Sequence, residues 1–325
     1  MQPRFPTRPQ ARFRARFRAA RFGGLVAALL AAPARAGDAP GPAPLWPEPD
    51  GTLILARPFG RSEISLRLSR RVAGAVDTLT WDGVTFLADT EPGDALQARA
   101  EVGSGGGCRR ASEAGTPQDP TGEPAARRLR ALRAGRSWAE TETRMAWDGP
   151  FDPADEPPSD CPTGTAAAAL PAPILHKRIA LGLPGLGNAV EVQARFDLAE
   201  AAAALRLEPL AAAVPAEFSS AWRFDPASGG IAPLDPEPGE RPDPVILATP
   251  EGSHALAVWA PGPPEQEPDA PRPGFAVDAE AGANRLSCRF RVAHAAAGAH
   301  AFACYALVGS LADVRAALRT LTAPP

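Results

Sequence analysis

The segment PAEFSSAWRFDPASG, residues 215–229, holds the densest set of residues able to act on a ligand. Glu217 follows Pro215, Phe218 and Trp222 supply aromatic faces, and Arg223 precedes the Asp225–Pro226 step. A sugar site combines a stacking ring with acids that hydrogen-bond hydroxyls, and glycosidases set two carboxyl groups across the scissile bond. Glu217 with Glu113 or Asp225 could form such a pair. The plainer alternative is a loop with a buried tryptophan anchor and an Asp-Pro turn, although loops on β scaffolds often carry function.

His176 lies in ILHKRIAL, beside Lys177 and Arg178. An imidazole titrates near neutral pH and could serve as a general acid or base. The alternation around it also fits a strand whose basic residues face water, and that reading is favoured. Glu113, in ASEAGT, follows Cys108 by five residues, so a disulfide there would hold it in place. Trp81 precedes a turn and the acidic loop Glu91–Asp94, which could be the rim of a binding site or a solvated turn. Glu113, His176 and Glu217 are thus the candidate catalytic residues, and Trp81, Trp222 and Asp225 the candidate ligand-binding ones. No G-x-S-x-G, H-E-x-x-H, P-loop or dinucleotide fingerprint is present, so no cofactor is expected. With no C-x-x-C, and with His294 and His300 set among alanines, no metal site is expected either.

Compartment follows from the N-terminus. Residues 1–21 contain seven arginines and no acid, and an apolar stretch from Phe22 to Ala32 leads to small residues at Ala34 and Ala36. That pattern reads as a signal peptide over 1–36, too short in its apolar part to span a bilayer as a helix. Its removal would leave 26 basic against 37 acidic residues, a net charge of −11. Such a chain is a poor partner for nucleic acid, whose phosphates are met by lysine and arginine. The expected protein is periplasmic or secreted, with a carbohydrate as the candidate ligand and no membrane span after cleavage. Four cysteines in an exported chain suggest two disulfides. If the segment near Ala296 is a hairpin loop, Cys288 and Cys304 fall opposite each other, which leaves Cys108 with Cys161.

These residues need strands to position them. Residues 37–50 read as a Pro-rich linker and 51–325 as one β domain. TLILA (52–56), SEISLRL (62–68), VDTLTW (76–81) and VTFLA (84–88) are apolar or alternating runs. Asp82–Gly83 between the last two is a type I′ hairpin signal. ALQARAEV (95–102), SWAETETRMAW (137–147) and NAVEVQARFDL (188–198) alternate, and the C-terminal half continues with short strand-like runs. Residues 103–137 and 148–173 read as long Gly/Pro-rich loops. From Ser310, SLADVRAALRTL has a capping residue and helical spacing. The fold class expected is all-β: a large antiparallel sandwich with a short C-terminal helix.

The order of GAVDTLTWDGVTFLADTEPGDALQ, GGCRRASEAG, CPTGTAAAALPAPILHKRIALGLPGLGNAVEVQARF, PAEFSSAWRFDPASG and ALVGSLADVRAAL over residues 70–320 resembles a family of exported bacterial proteins of unassigned activity. In plan that family is similar to β-supersandwich domains of the galactose mutarotase type. The resemblance implies a sugar-handling scaffold and no particular reaction. In the family, the stretch after the Trp-x-Gly turn is rich in Asp, His, Gly, Arg and Gln. Here Asp89–Ala95 has neither His nor Arg, while Glu113 stands in the matching later loop. Glycan binding or processing is therefore expected. The alternative is a non-catalytic structural or cell-envelope protein.

Overall fold

The computed structural model describes residues 44–88, 91–104, 107–115, 124–148, 171–234, 239–263, 270–280 and 282–323. The expected leader lies outside them, as does the expected Cys108–Cys161 bond.

Alternating apolar and polar residues put one side of each strand in the core and send the other outward. Three antiparallel sheets result. The first comprises β1 (Thr52–Phe59), β2 (Ser62–Ser69), β3 (Val76–Trp81) and β4 (Val84–Thr85), in that order. Asp82 and Gly83 both take positive φ between β3 and β4, as a type I′ turn requires.

The other two sheets interleave in sequence. Their strands are β5 (Gln97–Ser104), β6 (Gly107–Ser112), β7 (Leu129–Ala134), β8 (Trp138–Arg144), β9 (Ala146–Trp147), β10 (Ile174–Leu183) and β11 (Leu186–Leu198). They continue with β12 (Ala202–Pro215), β13 (Ser220–Asp225), β14 (Gly230–Pro233), β15 (Glu240–Arg241), β16 (Val245–Ala248), β17 (Ala255–Trp259), β18 (Pro273–Glu280), β19 (Ala283–Ala295) and β20 (Gly298–Gly309). A nine-stranded sheet runs β14-β13-β16-β17-β20-β11-β10-β8-β7, and a seven-stranded sheet runs β15-β18-β19-β12-β5-β6-β9.

The main core joins Ile179, Val192, Val258 and Ala306 of the nine-stranded sheet to Leu210, Phe275, Leu286 and Cys288 of the seven-stranded one. Helix α1 (Ala125–Arg128) is a single turn. Helix α2 (Leu311–Thr322) starts on a Ser310–Asp313 capping box and buries Val314, Ala317 and Leu318 with Phe224, Ile246 and Leu307. It covers one end of the outward face of the nine-stranded sheet. No helix of the described residues is long and apolar enough to cross a membrane.

The all-β sandwich and its C-terminal helix match the sequence expectation. Three local details differ. β6 and β7 lie within 103–137, which reads as loop. Six of the fifteen residues 215–229, Ser220–Asp225, form strand β13. Cys288 and Cys304 are bonded as expected, but they join β19 of one sheet to β20 of the other, so the bond crosses between sheets rather than within one ladder.

Candidate functional site

The structure does not bring the sequence-derived candidates onto one face. Glu113 is buried and ion-paired with the buried Lys177. Its Oε2 accepts from the Ala98 amide at 3.0 Å, and Arg128 donates to the carbonyls of Glu113 and Ala114, both at 2.7 Å. The Lys177 ammonium also donates to the Gly74 carbonyl at 3.4 Å. The pair ties β10 to the loop after β6 and to the loop before β3.

His176 is the next residue along β10, so it points the other way. It meets Asp197 Oδ2 at 3.0 Å and Glu142 Oε2 at 3.7 Å on the outward face. Glu113 and His176 therefore stand on opposite faces of the nine-stranded sheet. Glu217 is exposed in the turn after β12. Asp225 closes its own turn, accepting from the Ala227 amide at 2.9 Å and the Ser228 hydroxyl at 2.6 Å; these bonds hold its pKa low. Trp222 packs beneath α2. Trp81, a candidate ligand-binding residue from the sequence, is buried. Its Nε1 donates to the Phe59 carbonyl at 3.1 Å, and its ring packs on His254.

The outward face of the seven-stranded sheet carries a set of charges that the sequence reading did not assemble. Strand register lays them out in rows. One row runs Arg110, Glu101, Arg206, Arg291 across β6, β5, β12 and β19. The next runs Ser112, Arg99, Glu208, with Arg289 beside Glu208. A third runs Gln97, Ala211, Ser287, Ala276, Glu240. The last holds Ala213, Arg285 and Asp278.

A bulge makes the second row possible. Pro209 cannot donate to a ladder, and the register slips at Glu208–Pro209 against both neighbouring strands. Leu207 and Leu210 both stay in the core, while Glu208 turns outward between Arg99 and Arg289. The third row is small because long side chains lie across it. Arg289, in row two, donates to Asp278 Oδ2 in row four at 2.6 Å.

Most of these charges are paired. Arg206 bonds Glu101 and stands 3.9 Å from Glu208, Arg289 stands 2.9 Å from Glu208, and Arg291 bonds Glu240 at 3.0 Å. Gly274 leaves room for the last pair, since a Cβ there would overlap the Glu240 carboxyl. Burial alone would raise the Glu208 pKa, but Arg289, Arg99 and Arg206 outweigh it and hold the group below its ordinary value. Burial raises Asp148, which lies near Arg110 and Arg99, and also raises Glu240. The face thus holds carboxyls driven in opposite directions, an arrangement that can present an ionised acceptor beside a more readily protonated acid.

The loop Glu91–Asp94 is the rim of this face. The Gly93 carbonyl accepts from Arg99 Nη2 at 2.9 Å, Gln97 Nε2 at 2.9 Å and Arg285 Nη1 at 3.4 Å. Among the described residues, no group of histidine, cysteine or acidic side chains is arranged to hold a metal ion.

No protein-family model matches the chain, and no curated protein matches it. Solved structures do. The Slr1438 protein from Synechocystis aligns over 79% of this chain and 96% of its own, at 10% identity and TM-score 0.42. An alpha-mannosidase from Enterococcus faecalis aligns over 84% of this chain at 10% identity and TM-score 0.45, and an alpha-galactosidase from Lactobacillus brevis over 80% at 9% and 0.39. The chain spans 32% and 40% of those two enzymes.

Proposed function

We propose that the protein is exported and binds a glycan on the charged face of its seven-stranded sheet. The observation that carries this is the register of that face. Fixed donors and acceptors alternate there on a face where Glu101, Glu208 and Arg289 are buried and which the Gly93 loop edges. A sugar offers hydroxyls that both donate and accept. A preformed lattice of arginines and carboxylates meets them with little reorganisation. Export is supported by the leader-like residues 1–36 and by the Cys288–Cys304 bond, which belongs to an oxidising compartment.

A glycan array followed by thermal shift on the protein from Gly37 tests the proposal. A bound glycan should raise Tm. The shift should vanish in Arg110→Ala, on the face, and persist in Trp222→Ala, beneath the helix. Loss in Trp222→Ala alone would move the ligand to 215–229.

One observation favours a second reading, a structural or cell-envelope protein without a small ligand. The pairs Arg206–Glu101 and Arg289–Glu208 are already satisfied within the chain. A folded protein that no glycan stabilises would select it.

A further inference from the structure

Arg99 differs from three other arginines of the charged face. Arg206, Arg289 and Arg291 each have a carboxylate within ion-pair distance. Among the described residues Arg99 has none. Its one hydrogen bond goes to a neutral acceptor, the Gly93 carbonyl, and its Nε is buried without a partner. Arg285 donates to the same carbonyl. Two guanidinium groups thus converge on one uncharged oxygen, with Arg110 close enough to act on Arg99 as well. The rows carry no aromatic side chain among the described residues, so a neutral pyranose finds no ring to stack on there.

Glu208 and Asp148 act on Arg99 only from beyond ion-pair distance, and a half-buried cation short of a contact anion gains when one is placed beside it. A guanidinium fork fits two oxygens of a carboxylate or a sulfate. Taking the face as a ligand surface, we infer that its glycan is acidic and that Arg99, flanked by Arg110 and Arg285, receives a carboxylate or sulfate group of the sugar. Arg99 is then a binding residue, and the paired rows of charge hold the strands that position it.

The rival explanation is that Arg99 only clamps the Gly93 loop. Trigalacturonic acid, its methyl ester and a sulfated galactotriose separate the two and also separate carboxylate from sulfate. Each would be titrated calorimetrically into the protein and into Arg99→Gln, Arg99→Lys and Arg110→Gln, with a urea midpoint for every variant to confirm folding. The inference expects one of the two anionic sugars to bind and the methyl ester to bind roughly tenfold or more weakly than the free acid if carboxylate is the preferred group. Arg99→Gln should lose about the same factor, with partial rescue by Arg99→Lys, which keeps the charge without the fork.

Equal binding of a neutral sugar, unchanged in a folded Arg99→Gln, would overturn the inference and leave the glycan proposal standing. If neither these probes nor any glycan on the array bound the folded protein, both would fall.

Discussion

The two large sheets each turn a charged face away from their shared core, and the two faces are built from the same residue types. On the nine-stranded sheet, Arg133 meets Glu140 at 3.0 Å, Arg195 meets Asp197 at 2.9 Å, and Arg178 lies 3.7 Å from both Glu140 and Glu191. Most of those side chains reach water: Arg133 is 78% exposed and Glu140 28%, while Arg195 at 15% and Glu191 at 13% are largely covered. On the seven-stranded sheet Glu208 is 8% exposed and Arg289 10%. Alternation along a strand creates both ladders; cover separates them. Exposed pairs are screened and contribute little. Recessed pairs have lost their water and depend on one another.

The largest expected effect follows from that dependence. Glu208→Gln removes the charge shared by Arg289 and Arg206 and leaves both partly uncompensated. It should cost about 3 kcal/mol, read from the urea midpoint. A loss under 1 kcal/mol would mean that the recessed face behaves like the exposed one.

Separating the faces should cost nearly as much. Cys288–Cys304 closes a loop with a sequence separation of 16 and joins the two sheets. The paired Cys288→Ser and Cys304→Ser variant should lose about 3 kcal/mol. If the faces are independent below the core, the ion pairs of both should survive it. Unchanged histidine chemical shifts of His176 would show this for the exposed ladder.

The pH dependence should separate the faces more finely. The folded pKa of Glu208 is lowered, so its contribution is present above the unfolded value and lost as pH falls through the folded one. Asp148 and Glu240 are raised, so theirs is present below the unfolded value and lost as pH rises through the folded one. The terms oppose each other as pH falls through the carboxylate range: the Glu208 contribution is lost while those of Asp148 and Glu240 are regained. Asp148→Asn should therefore be more stable than the parent at neutral pH and should match it in acid. The same or lower stability at neutral pH would show that its bond to the Ser112 hydroxyl, 3.2 Å long, outweighs its burial.

Much of this was legible in the sequence. Period-two runs gave the strands around 138–144 and 186–198, Asp82–Gly83 gave the turn, and Ser310 with Asp313 marked the helix start. β6 and β7 were not legible, because GGGCRRAS and LRALRA carry turn residues and arginines where a strand usually shows its apolar side. The charged face was visible only in pieces. ALQARAEV, LRLEPL and RLSCRFR each show a polar side, and each alone reads as solvated. Register makes them one surface, as in the contact between Gly93 and Arg285, 192 residues apart. Pro209 was the local signal: a proline inside a long alternating strand marks a bulge. Glu113 stands out in the sequence for its setting, but its role comes from Lys177, which the alternation of β10 sends inward while its neighbour His176 faces outward.

A smaller effect belongs to Arg99 itself. Burial, and then Arg285, push its pKa down to about 10, so its charge is held at a cost. Arg99→Leu gives up one hydrogen bond to Gly93 and a longer-range attraction to Glu208 and Asp148, and it relieves the crowding with Arg285. Stability should change by less than about 1 kcal/mol, whereas Glu208→Gln, directly across the ladder, should be strongly destabilised. Near-equal losses in both would make Arg99 part of the framework and weaken its assignment as the ligand's partner.

The smallest effect should come from the exposed face. Glu142 lies 3.7 Å from His176 and 3.8 Å from Arg130, all partly exposed. Its screened charge gains little from either neighbour, and Asp197 holds His176 from the other side at 3.0 Å. Asp197 has its pKa lowered: burial opposes its charge, but the His176 hydrogen bond and Arg195 prevail. Glu142→Gln should therefore shift stability by less than about 0.5 kcal/mol, and the shift should shrink further in high salt. A salt-insensitive loss above 1 kcal/mol would mean that the exposed ladder is as interdependent as the recessed one. Cover would then not be what distinguishes the two faces.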